Sequence, residues 1–211
     1  MLIVGLTGSI GMGKTTAAGN FRRLRIPVHD AYRTVHAILG RQGPEARAIE
    51  TVFPGVAKEG RVDRTELAKR VFGDQSALAR LERILHPAVR RCQRRFLERA
   101  ARRRVPLVVL DIPLLFETGG EALCDAVVTV SAPLFLQSER VMRRPGMTRS
   151  RLRSILARQS PDAEKRRRSD FIVHTGLGRA HSLRAIRNIV KVLRAIRGRK
   201  WPPRNGAFRH T

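Results

Sequence analysis

Apolar positions along this chain fall into two spacings. Short continuous runs, LIVGL at 2–6, VPLVVL at 105–110 and AVVTV at 126–130, have the length and β-branched content of strands buried on both faces. Two weaker runs, 26–28 and 171–173, read as further strands. Between them, apolar residues recur at intervals of three and four. Ala17, Ala18, Phe21 and Leu24 share one face of a helix over 15–24, and Asp30 is placed to cap another that runs to about 39. A helix over 134–144 is broken by Pro145-Gly146, a strongly basic one follows over 148–159, and a last one spans 182–197 after a turn at Thr175-Gly176. Strand alternating with helix predicts an α/β fold, a doubly wound parallel sheet flanked by helices.

The middle of the chain differs. From 43 to 104 the pattern is helical and no run reads as a strand. Leu67, Val71 and Phe72 share a face, as do Leu81, Ile84 and Leu85. GRVDRTELAKRVF reads as a turn and a capped helix, with Asp63 or Thr65 as the cap and Glu66 in the first turn. Pro87 is expected to begin a further helix reaching about 103. Residues 40–104 are therefore expected to form a helical insertion. The tail, 198–211, has two prolines, high charge and no periodicity, and is expected to be disordered.

Charge changes the picture only in part. Lys+Arg total 43 against 17 Asp+Glu, a net charge of +26, and only six of the cations are lysine. Clustered positive charge attracts polyanions. Here it is spread through every helix, and aromatic residues are only 5%, too few for base-stacking platforms, so solvated helix faces are the expected role. Nucleic acid is not an expected partner. Cys92 and Cys124 have no metal-site spacing and make no disulfide framework, which fits a reducing cytoplasm. MLIVGLTG lacks the charged start of a secretory signal, and no apolar run approaches the roughly 20 residues of a membrane span.

Chemistry enters at residues 8–15. Gly8-Ser-Ile-Gly11-Met12-Gly13-Lys14-Thr15 satisfies G-x-x-x-x-G-K-[ST] in full, between the first strand and the first helix. The glycines let successive N–H groups face phosphate oxygens, and the helix beginning at the lysine adds its positive end. Lys14 meets the outer phosphates, and the Thr15 hydroxyl is placed to hold Mg²⁺. The motif implies a nucleoside triphosphate with Mg²⁺, on a P-loop nucleoside-triphosphate-hydrolase-type sheet. Gly8, Gly11, Met12, Gly13, Lys14, Thr15 and Thr16 form its expected cradle. Asp111 closes the 105–110 strand. No guanine-reading N-K-x-D occurs. Arg140 and Arg144, four apart, are expected on one helix face, either as lid arginines that neutralise transferred charge or as part of a solvated basic face.

With these features in place, several segments resemble dephospho-CoA kinases. Val28-His-Asp30-Ala-Tyr32 with His36 is similar to that family's V-x-D-A-D-x-x-x-H. Residues 60–67 with Val71-Phe72 resemble G-x-x-D-R-x-x-L…V-F, LERILHP at 81–87 resembles L-E-x-I-L-H-P, and DIPLLFE at 111–117 resembles D-x-P-L-L-F-E. Gln137, Arg140 and Arg144 resemble the lid signature, and Gln159 and Ser169-Asp170 follow in order, so the likeness runs from about 2 to 197. It implies transfer of phosphate from ATP to the ribose 3′-hydroxyl of dephospho-CoA, the last step of CoA biosynthesis. It also implies a nucleotide-binding core (1–39, 105–140, 168–197), a helical substrate-binding insertion (40–104) and a lid (141–167). Lys14, Asp30 and Arg140 would then be catalytic, with Arg144 on the nucleotide. Asp30, Tyr32, His86, Pro113, Leu114, Leu115 and Glu117 would line the acceptor side, in a protein expected to act as a monomer. The resemblance also places Asp111 near Mg²⁺, through water, beside Thr15 as a metal residue. Asp30 could equally be only a helix cap, His86 only a buried hydrogen-bonding histidine, and Asp111 only the end of its strand.

One departure stands out. Tyr32 occupies the place of the second aspartate of D-A-D, which the resemblance implies orients or deprotonates the acceptor hydroxyl. A phenol with pKa about 10 is a poor base at neutral pH. If residues 30–32 are extended, Asp30 and Tyr32 share a face and Asp30 can substitute; if a helix starts at 31, they diverge. The competing readings are an ATP-binding homologue with reduced or lost catalysis, another small-molecule kinase on this scaffold, and an arginine-rich polyanion binder.

Overall fold

The computed structural model describes residues 1–202, so most of the tail expected to be disordered, 203–211, lies outside the described residues. The chain divides into two compact units. The first comprises Met1–His29 and the described residues from Arg99 onward; the second is Asp30–Glu98.

The first unit holds the sheet. β1 (Leu2–Thr7), β5 (Leu107–Asp111), β6 (Ala126–Ser131) and β7 (Phe171–His174) are joined by β2 (Val28–Asp30) in the order β2-β5-β1-β6-β7. β1 runs parallel to both neighbours, with Leu2 opposite Leu107, Leu6 opposite Asp111 and Thr7 opposite Thr129. Every residue of β1, β5 and β6 is buried, which is why these strands read as unbroken apolar runs. Helix α1 (Lys14–Arg23) turns Ala17, Ala18 and Phe21 inward, and the last helix, α9 (Arg179–Arg194), packs Ile186, Ile189, Val190 and Leu193 into the same core.

Between β6 and β7 lie α6 (Leu134–Met142), α7 (Arg149–Leu156) and α8 (Asp162–Arg167). Helix α6 stops two residues before its expected end at 144. Pro145 disfavours the helical conformation for the residue before it, so the backbone turns at Arg143 and Arg144. Arg140 and Arg144 therefore do not share a helix face. No sequence signal had marked α8.

The second unit contains α2 (Ala31–Leu39), α3 (Pro44–Val52), α4 (Arg64–Val71) and most of α5 (Gln75–Arg102). Its core gathers Leu39, Ile49, Phe53, Val56, Leu67, Leu81 and Leu85, with Val35 and Ile38 packed against it. That packing draws the whole of α2 into this unit, ahead of the boundary at 40 read from the sequence. Two expectations are corrected here. The segment is not free of strands: Ala57–Lys58 (β3) pairs antiparallel with Arg61–Val62 (β4), two residues each, too short to leave an alternation in the sequence. Pro87 does not begin a helix but lies inside α5. Buried Ala77, Leu81, Leu85 and Ala88 carry one apolar seam past it, and the backbone bond the proline removes would fall on the exposed side, at Arg83. Asp63, not Thr65, caps α4, accepting from the amides of Thr65 at 3.0 Å and Glu66 at 3.2 Å.

Candidate active site

The phosphate loop leaves the carboxyl end of β1. The chain leaves β1 for β2 on one side of that strand and later passes from β5 to β6 on the other, and open parallel sheets bind ligands where the strand order reverses in this way. Gly11 has φ +78°, and a Cβ there would meet Val141 Cγ2 at 2.7 Å and the Gln137 carbonyl at 2.9 Å. The loop thus packs against α6 with no room for a side chain.

The loop opens into an uncapped helix end. Gly13, in the left-handed region, provides no side-chain cap to α1, and no acidic residue occupies the first turn. Among the described residues the amides of Gly11 and Gly13 have no protein acceptor, and Thr15 and Thr16 are exposed. Unsatisfied amides at a helix N-terminus, beside a lysine, form an anion site. Lys14 Nζ lies 2.5 Å from Asp111 Oδ1, with the Asp111 side chain 3% exposed.

The loop's carbonyls are taken up on its other side. Gln137 Nε2 donates to Ile10 O at 2.8 Å, Arg140 Nη1 to Gly11 O at 3.4 Å, and Thr175 Oγ1 to Met12 O at 2.8 Å. Arg140 also donates to Thr175 Oγ1 (3.0 Å) and Thr175 O (2.9 Å). The Met12 side chain is buried and its sulfur accepts from Ala132 N at 3.1 Å, so only its backbone can serve a ligand. Arg144 is exposed and, among the described residues, has no ion pair.

The residues fit Mg²⁺ arriving with a nucleotide. No group of three or more His, Cys, Asp or Glu among the described residues forms a cation cage of its own. The Thr15 hydroxyl and the Asp111 carboxylate are the available donors, and Mg²⁺ commonly takes one or two protein oxygens together with substrate phosphates.

The turn after β5 is built from below. Leu115 is wholly buried and packs against β1, where a Cβ on Gly5 would meet its Cδ2 at 2.7 Å. Pro113 and Leu114 are half-buried. Glu117 accepts from the Lys165 ammonium at 2.8 Å and from Ser160 N at 2.7 Å. Burial pushes the Glu117 carboxyl up, but the hydrogen bonds from Lys165 and the amides of Ser160 and Glu117, with the Lys165 charge, outweigh it and hold it below its ordinary value. Cys124, also buried near β1, is pushed up to about 12, chiefly by burial, and is an unreactive thiol.

Asp30, Tyr32 and His86 lie in the second unit. Helix α2 begins at Ala31, and Asp30 caps it, its Oδ1 accepting from Arg33 N at 2.9 Å. Asp30 and Tyr32 therefore diverge. Tyr32 is 61% exposed, its ring 4.2 Å from that of His36 and tilted by 49°. Burial and then Arg64 lower the His36 pKa, against a smaller opposing pull from Asp30. His86 is exposed on α5, not buried.

Sequence reasoning assigned no role to Thr175, Gln159 or Lys165. One signal was available for Lys165: it is one of only six lysines in the chain and is followed directly by three arginines. The structure shows it completely buried, where the compact ammonium fits and the guanidinium fork does not.

Comparison with known proteins agrees with this geometry. The dephospho-CoA kinase family model matches residues 2–178. A dephospho-CoA kinase of Paramagnetospirillum magneticum is 61% identical over 166 residues, covering 79% of this chain and 78% of that protein. One from Rhodospirillum rubrum is 56% identical over 188 residues, covering 88% and 89%. A crystal structure of a Thermus thermophilus protein superposes with a TM-score of 0.77 at 36% identity, over 90% of this chain and 96% of that one. Phosphate loop, sheet order and a sequence likeness spanning both units converge: this chain belongs to the dephospho-CoA kinase family.

Proposed function

We propose that this protein transfers the terminal phosphoryl group of ATP to the ribose 3′-hydroxyl of dephospho-CoA, giving CoA and ADP. The observation that carries the reading is the uncapped start of α1, with Lys14 and Asp111 beside it, in a chain 61% identical to a protein bearing that activity's name. Lys14 and the free loop amides bind the outer phosphates, and exposed Arg144 supplies charge from the lid segment. Thr15, with Asp111 nearby, would hold Mg²⁺, which would supply neutralising charge at the phosphate oxygens. Arg140 supports the loop from behind rather than acting on the transferred group. Asp30, Tyr32 and His86 serve the acceptor. The substrate partner is a small molecule, and the protein works as a cytoplasmic monomer without nucleic acid. No helix among the described residues is long and apolar enough to cross a membrane.

Phosphoryl transfer relies mainly on positioning and charge, so loss of the aspartate at position 32 costs about 10² of the 10²–10⁴ a general base contributes. A coupled ADP-release assay on the natural protein and Tyr32→Asp decides the matter. The expected outcome is measurable turnover in both, faster with aspartate. Turnover only in Tyr32→Asp identifies a disarmed homologue. ATP binding with turnover in neither shows that the acceptor is another hydroxyl compound.

A further inference from the structure

The network behind the phosphate loop extends beyond Gln137, Arg140 and Thr175. Ile10 N donates to Gln159 Oε1 at 3.0 Å, across 149 residues of sequence. Gln159 lies just past the end of α7. The next residue, Ser160, donates its amide to Glu117 Oε1. That same oxygen takes the ammonium of Lys165, a side chain with no solvent exposure, which also reaches Pro113 O at 3.5 Å. Thr7, the last residue of β1, donates its hydroxyl to Pro113 O at 3.1 Å.

These contacts close a circuit. It runs from the phosphate loop through Gln159 to the far root of the lid segment, through Glu117 and Lys165 to the turn after Asp111, and through Thr7 back to the strand that launches the loop. Helix α8, which carries Lys165, is fixed to the sheet besides, by Ser131 Oγ donating to Asp162 Oδ2 at 2.7 Å and by the Thr129–Ser169 hydroxyl pair at 2.5 Å. A buried ion pair contributes little net stability compared with apolar packing, yet breaking one is costly; such pairs are best attested where they specify an arrangement. What this pair specifies is where Ser160, and hence Gln159, meets the loop.

We propose that Gln159 and the buried Lys165–Glu117 pair are positioning residues for phosphoryl transfer, holding Ile10 and the lid root in the register that nucleotide binding needs. The proposal rests on the kinase reading above. None of the three touches the transferred group; all act through the loop.

The test measures Mg-ATP affinity by calorimetry, separately from turnover, so that failure of this inference is distinct from failure of the kinase assignment. Gln159→Ala removes the acceptor for Ile10 N, and one lost hydrogen bond corresponds to about a 5- to 20-fold loss in affinity. The expected result is that loss, with the KM for dephospho-CoA within about twofold of the natural protein. Lys165→Met removes the counter-charge of the half-buried Glu117 carboxylate, leaving it only the amides of Ser160 and Glu117, and is expected to fold poorly. Lys165→Met with Glu117→Gln removes both charges and is expected to fold while binding ATP as weakly as Gln159→Ala. Unchanged ATP affinity in Gln159→Ala, or full affinity in the double variant, overturns the proposal.

Discussion

At the scale of single residues, position 32 and the loop glycines carry the most consequence. Tyr32 is exposed and meets the tilted His36 ring, so replacing it with aspartate removes little packing and tests mainly chemistry. Gly11 is the opposite case. Its φ of +78° is one L side chains rarely adopt, and its surroundings are an α6 carbonyl and Val141. Gly11→Ala is expected to strain or displace the loop by about 1–3 kcal/mol. ATP affinity, measured by calorimetry, should then fall more than about 10-fold. The motif fixes glycine only at 8 and 13 and leaves position 11 open; the structure supplies the reason for a glycine there, since α6 fills the space behind it.

At the scale of elements, α5 is the informative one. A proline in a helix interior removes a backbone bond and costs about 3 kcal/mol in an unconstrained helix. Pro87 is exposed and its neighbours on the apolar seam are unaffected, so Pro87→Ala is expected to raise stability by about 1–3 kcal/mol, measured by urea unfolding. The local rule that proline favours the first turn of a helix had suggested a break at this point. The seam of Ala77, Leu81, Leu85 and Ala88 overrode it, because burying one continuous apolar stripe is worth more than one solvent-facing hydrogen bond. Similarly, α6 ended early because Pro145 acts on its predecessor, a local effect that periodicity alone misses.

At the scale of the whole molecule, the acid side of the stability profile has a stated cause. Glu117 has its folded pKa held below the ordinary carboxylate value. A lowered folded pKa means that the unfolded chain binds the proton more readily. The stability this group contributes is therefore complete above its unfolded value, near 4.5, and is lost as pH falls through the lower folded value. Thermal unfolding followed from pH 7 to pH 3 should show the natural protein more stable than Glu117→Gln at neutral pH, with the gap closing in acid. A constant gap would mean that Glu117 acts through packing alone. The net charge of +26 adds general repulsion at low pH but has no partner in view.

The sequence by itself determined what is local or periodic. Strands buried on both faces show as apolar runs, and the phosphate loop is legible because its glycines, lysine and threonine are contiguous and each is demanded by backbone geometry. The caps at Asp30 and Asp63 are local for the same reason. Only the tertiary structure decided the partners. Glu117, read as an acceptor-side residue, is held by Lys165, 48 positions further along the chain, and Gln159 meets the loop across 149 positions. Arg140 turned from the lid side to the loop's carbonyls, because α6 packs directly behind the loop. Whether Asp30 and Tyr32 share a face turned on where α2 begins, and the cap set that at Ala31. Spacing records what one segment can bury against a neighbour; it holds no record of which distant side chain arrives to satisfy a buried carbonyl or carboxylate.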